Sequence, residues 1–134
     1  MILVDTGYLV ALFHPRDGLH PVARAWSAVL DEPLIVTEHV LVEVVNRFSQ
    51  PTDRVRAERI AAVVRGDSAY VFLQSSSQLL DAALAMHRQH HDKEWSLTDC
   101  ISFHVMRERA VPRALSHDRH FVQAGFDALL RRDP

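Results

Sequence analysis

The stretch Ile2-Leu3-Val4-Asp5 limits what this chain can fold into more than any other. Its three branched apolar residues have no polar residue alternating between them, which describes a strand covered on both faces, as in a parallel sheet. Asp5 stands where that strand ends and an apolar helical pattern, residues 6–13, takes over. In open α/β sheets ligands bind in the crevice beyond the carboxyl ends of the strands. A carboxylate at that edge points to a crevice that takes a cation.

The rest of the chain repeats the alternation of strand and helix. His14-Pro15-Arg16-Asp17-Gly18 carries both breakers of a turn. A helix is predicted over residues 20–31, with Val22, Ala25, Trp26, Val29 and Leu30 on one face, and Pro33 stops it. Leu34-Ile35-Val36 predicts a second strand, and Thr37 can cap the helix that follows to about Phe48. Pro51-Thr52-Asp53 opens a helix ending at Gly66, and Tyr70-Val71-Phe72-Leu73 reads as a third strand. Helices over 78–90 and 96–109 are separated by a polar connection, and Pro112 precedes a fourth strand at 113–116. Residues 118–123 read as a short helix and 126–130 as a last strand or a helical turn. This order predicts an α/β fold in three layers: a central, mainly parallel sheet of four or five strands, flanked by helices. Its 134 residues suit a single domain spanning 1–134.

Composition removes several function classes. No apolar run is long enough for a membrane span, and Met1 abuts the first strand with no leader between them, so a cytoplasmic protein is expected. Cys100 is the only cysteine, which excludes an internal disulfide and fits a reducing compartment. A net charge of −2 gives no broad basic field, although all basic residues except Lys93 are arginine, which suits bidentate contact with phosphate. No Gly-rich phosphate loop is present, against dinucleotide or nucleoside triphosphate binding.

Four acids stand out, each with a plainer explanation beside the functional one. Asp5 can cap the helix after it. Asp5-Thr6-Gly7 also matches the active-site triplet of aspartic proteases, but those folds are rich in β-structure and this chain reads as mostly helical. Glu43 falls with His39, Asn46 and Arg47 on the polar side of its helix, opposite Val40, Leu41, Val44, Val45 and Phe48, where a solvated face is the ordinary outcome. Ser96-Leu97-Thr98-Asp99 fits a capping box, yet Asp99 lies on the flank of the apolar face between Phe103 and Met106, where a carboxylate seeks a cation. Asp118, like Asp5, sits just past a predicted strand and can also cap a helix. If those two strands are neighbours, the two acids share one crevice. Clustered carboxylates repel unless positive charge is supplied, and hard divalent cations take oxygen ligands, so the set predicts a metal-dependent phosphodiester site.

With these residues in view, the chain resembles the PIN-domain nucleases, in particular the VapC-like toxins of toxin–antitoxin pairs. The resemblance rests on Ile2-Leu3-Val4-Asp5-Thr6-Gly7-Tyr8-Leu9, on Thr37 to Asn46 around Glu43, on Trp95 to Ser102 around Asp99, and on Leu115-Ser116-His117-Asp118-Arg119-His120-Phe121. It implies that Asp5, Glu43, Asp99 and Asp118 are the family's four acids, with Thr6 and Ser116 at its hydroxyl positions; Ser116 stands where threonine is common. It further implies Mg²⁺ or Mn²⁺ held by Asp5, Asp99 and Asp118, with Glu43 orienting metal or water, and endonucleolytic cleavage of RNA by metal-activated water. A homodimer and a neutralising antitoxin are implied as partners. The alternatives are a PIN nuclease of RNA processing without an antitoxin, and a non-catalytic RNA-binding or interaction module on the same fold.

Other residues carry weaker readings. His87, His90 and His91 would share one helix face and could hold zinc, although a solvated helix end is the commoner outcome. Cys100 has no activating base in sequence and reads as a small buried residue. Trp26 and Trp95 could stack on bases, but core packing is commoner.

Overall fold

The computed structural model describes residues 1–134. Five short strands are named here β1 (Ile2–Val4), β2 (Leu34–Thr37), β3 (Tyr70–Leu73), β4 (Arg113–Leu115) and β5 (Asp127–Ala128). They lie in the order β3-β2-β1-β4-β5, and every pairing is parallel. Seven helices cover the sheet: α1 (Thr6–Phe13), α2 (His20–Val29), α3 (Glu38–Arg47), α4 (Arg54–Gly66), α5 (Ser77–Gln89), α6 (Leu97–Glu108) and α7 (Arg119–Gln123).

The apolar strand residues divide strictly between two cores. Ile2, Val4, Leu34 and Val36 face α1–α4 together with Tyr8, Val40, Val44 and Ile60. Leu3, Ile35 and Ala114 face α5–α7 together with Phe103, Met106 and Phe121. Both faces of β1 and β2 are therefore buried, which is why their sequences show no polar alternation. The crossovers from β1 to β2 and from β2 to β3 use the first face; the chain then returns along the second face to place β4 beside β1. Strand order reverses between β1 and β4, and in open α/β sheets that switch point opens a crevice.

The observed elements refine the expected ones at several points. The last segment is both things expected of it: β5 pairs with β4, and a 3₁₀ turn at Leu129–Arg131 follows. Val29, expected on the buried face of α2, is 59% exposed, because Ala23 and Trp26 set the inward stripe and the helix ends at Val29. Both tryptophans pack as core residues, with Trp26 Nε1 donating to the Arg132 carbonyl at 2.9 Å and Trp95 Nε1 donating to Gln123 Oε1 at 3.0 Å. Cys100 is fully buried. No helix is long and apolar enough to cross a membrane.

Candidate active site

The four acids arrive at the carboxyl edge of the sheet from four elements. Asp5 follows β1 and caps α1, its Oδ1 accepting from Thr6 N at 2.8 Å. Asp118 follows β4 and caps α7, its Oδ1 accepting from His120 N at 2.8 Å. β1 and β4 are direct neighbours, so these two acids stand on either side of the switch point. Asp99 belongs to the first turn of α6, where the capping box is complete: Ser96 Oγ accepts from Asp99 N at 3.0 Å and Asp99 Oδ2 accepts from Ser96 N at 3.1 Å. Glu43 is in the middle of α3, the helix that Thr37 caps after β2.

The two hydroxyls beside the acids tie the set together. Ser116 Oγ donates to Asp5 Oδ2 at 2.7 Å and accepts from Asp118 N at 3.0 Å, bridging the ends of the two neighbouring strands. Thr6 Oγ1 donates to Glu43 Oε2 at 2.5 Å, reaching from the first turn of α1 to α3. Glu43 lies on the polar side of α3 as its sequence suggests, but that side borders the crevice and not bulk solvent alone. The capping readings of Asp5, Asp99 and Asp118 hold together with the crevice reading: the caps fix where each carboxylate stands.

His120, to which the sequence alone assigns no role, joins the set. Its Nδ1 lies 2.9 Å from Asp99 Oδ2 and 3.4 Å from Asp118 Oδ1, and ligand atoms of Asp99, Asp118 and His120 fall within 4.8 Å of one another. It stands two residues after Asp118, but only the packing of α6 against α7 makes that position meaningful. By contrast, His87, His90 and His91 do not form a site: His87 and His91 are exposed, while His90 contacts the Met86 carbonyl and stacks 4.7 Å from Trp95.

Electrostatically the crevice has His120 beside two of its acids and no permanent cation among its ion pairs. No lysine or arginine pairs with Asp5, Glu43, Asp99 or Asp118, although ion pairs occur elsewhere on the molecule. Burial pushes the Asp5 carboxyl up to about 7 despite the Ser116 hydrogen bond, and the charges of Asp99 and Asp118 add to the rise. Asp99 is also raised, by burial first, against the hydrogen bonds of Ser96 and His120. Hydrogen bonds occupy only Oδ2 of Asp99, Oδ1 of Asp118 and Oε2 of Glu43, leaving one oxygen of each without a protein donor. A crowded set of carboxylate oxygens with one imidazole beside it, partly free and without a lysine or arginine partner, suits a hard divalent cation.

The PIN domain family model matches residues 2–127. The 23S rRNA-specific endonuclease VapC20 of Mycobacterium tuberculosis is 31% identical over 128 residues, covering 94% of this chain and 95% of the relative. The crystal structure of that organism's VapC20, described as a Sarcin-Ricin loop cleaving toxin, superposes with a TM-score of 0.88 at 27% identity, over 94% of this chain and 96% of that one. The FitAcB structure from Neisseria gonorrhoeae shares the fold at 14% identity, with a TM-score of 0.65 over 96% of this chain and 95% of that one. A parallel sheet with an acidic crevice at its switch point, on a chain matched almost from end to end, leaves one family assignment: this chain belongs to the PIN domain family and is a homologue of VapC20.

Proposed function

We propose that this protein is a divalent-metal-dependent endoribonuclease and the toxin of a toxin–antitoxin pair, with ribosomal RNA as its substrate. The observation that carries the reading is the convergence of Asp5, Glu43, Asp99 and Asp118 on one crevice with no lysine or arginine to neutralise them. The likeness to an rRNA endonuclease supplies the substrate class.

In this reading Asp5, Asp99 and Asp118 hold Mg²⁺ or Mn²⁺, which when bound supplies Lewis-acid polarisation of the scissile phosphate and lowers the pKa of water. The chain's own residues prepare the geometry. Ser116 fixes Asp5 and the Asp118 backbone together, so the two strand-end carboxylates keep their spacing. Thr6 holds Glu43 through Oε2, which leaves Oε1 to orient the attacking water and accept its proton. The attacking oxygen forms a bond to phosphorus as the P–O bond to the leaving nucleotide breaks, and the leaving oxygen takes a proton from solvent. His120 steadies Asp99 and the loop carrying Asp118.

A homodimer and an antitoxin complete the proposal; an anionic pocket of this kind can take an arginine guanidinium in place of a metal ion.

The test is incubation of the purified protein with an rRNA hairpin in Mg²⁺ or Mn²⁺. Cleavage is expected to stop in EDTA, and to fall to background in Asp5→Asn and Asp99→Asn. The losses should not add, because each removes the same centre. Cleavage that persists in EDTA, or at the wild-type rate in both variants, refutes the mechanism. Metal-independent RNA binding without cleavage favours the non-catalytic module instead.

A further inference from the structure

An acidic crevice on a chain of net charge −2 poses a difficulty for any polyanionic substrate: something near the acids must attract phosphate. One flank of the crevice carries two cations, each in an exposed pair with a carboxylate, that a phosphate can recruit. Between the connection that follows α5 and helix α7 lies a cavity of about 390 Å³, lined by Asp92, Lys93, Glu94, Arg119, His120 and Gln123 and by no apolar residue. His120 belongs both to this groove and to the acid cluster, so the two are continuous. Arg119 directly follows Asp118 in the chain.

The two cations of the groove are held loosely on a firm base. Lys93 Nζ pairs with its sequence neighbour Asp92 at 2.9 Å, and Arg119 pairs with Glu94 at 3.2 Å through side chains 67% and 82% exposed. Exposed pairs of this kind contribute little, so each cation can exchange its carboxylate for a phosphate oxygen at small cost. The base does not share this looseness. Trp95, buried in the core, donates to Gln123 in α7 and thereby fastens the connection to the helix. The arginine fork suits a phosphate diester, and no hydrophobic residue lines the groove to ask for an apolar ligand.

We propose that this groove holds the backbone of single-stranded RNA next to the scissile phosphate, with Arg119 and Lys93 as phosphate-contacting residues. The proposal rests on the nuclease reading for its substrate, but its test does not require cleavage. Binding of a labelled single-stranded oligoribonucleotide is measured in EDTA across a series of salt concentrations. For single strands the slope of log affinity against log salt is about 0.7 per phosphate neutralised. Arg119→Gln and Lys93→Gln should each reduce it by about that amount, and the double variant by about twice as much. Arg16→Gln, in the exposed turn after α1, should leave the slope unchanged. Glu94→Gln and Asp92→Asn free the two cations and should tighten binding, a gain that a folding defect does not imitate. Unchanged slopes in the Arg119 and Lys93 variants, a loss equal to that of Arg16→Gln, or no measurable binding by the wild type at low salt overturns the proposal. Wild-type binding with the expected slopes but no cleavage in Mg²⁺ or Mn²⁺ sinks the nuclease reading and leaves the groove standing.

Discussion

A carboxylate that caps a helix is ordinarily held ionised by the donors it accepts, and Asp5 accepts two, from Thr6 and from Ser116. Burial nonetheless outweighs them and carries its pKa from 3.8 to about 7. The consequence for stability has a definite sign. Between those two values the folded protein binds a proton that the unfolded chain releases, so the metal-free protein loses stability as pH rises through this window. Each tenfold difference in proton affinity between the folded and unfolded chain is worth about 1.4 kcal/mol, an upper bound for a residue that keeps some contact with solvent. Thermal melts in EDTA should therefore give a higher Tm for wild type at pH 5.5 than at pH 8, relative to Asp5→Asn, and the variant should exceed wild type at pH 8. Added Mn²⁺ should stabilise the wild type more at pH 8 than at pH 5.5, because protons compete for the same oxygens. An Asp5→Asn protein that melts lower at pH 8, with the wild-type pH slope, would show that the crevice is not strained by its charge.

At the scale of elements, one short motif both starts a helix and aims a carboxylate. Ser96 and Asp99 satisfy each other's backbone donors, so Ser96→Ala should cost about 1 kcal/mol as a lost cap. It should also lower cleavage beyond what that instability explains, since the helical turn that carries Asp99 loses the Ser96 Oγ acceptor for its backbone N–H, although the N–H of residue 96 still holds the carboxylate; Ser96→Thr should restore both. Equal activity in Ser96→Ala and wild type, measured well below the melting temperature, would separate the cap from the site. The same motif shows what a sequence can convey. β1 and β2 were legible because strands buried on both faces are written as unbroken apolar runs. Asp5 was legible because it immediately follows such a run, and Asp118 because it stands just beyond the strand that Pro112 precedes. β5 was legible only as one of two alternatives for residues 126–130, since two residues have no periodicity to decide between strand and turn. The bond from Thr6 to Glu43 spans 37 residues and the contact of His120 with Asp99 spans 21, so both depend on how helices pack and on nothing local.

Across the whole molecule, the crevice is where partners would act. A toxin assignment requires that a small protein encoded beside this one rescue growth on co-expression, and failure to do so removes the antitoxin. Mass measurement at micromolar concentration should give a dimer; monomer alone removes that part of the proposal. The order in which the site's pieces occur along the chain has a consequence of its own. Asp5 and Glu43 lie early, but Asp118 arrives only with β4, and the turn after β5 then secures its loop, with Leu130 N donating to the Ser116 carbonyl and Arg131 to that of His117. Synthesis proceeds from the N-terminus at about 5–20 residues per second. A nascent chain whose β4 and β5 are still inside the ribosome therefore carries only fragments of the crevice. An enzyme that cuts ribosomal RNA would thus be born harmless to the machine translating it, arming itself only when its final strand has left the tunnel and docked.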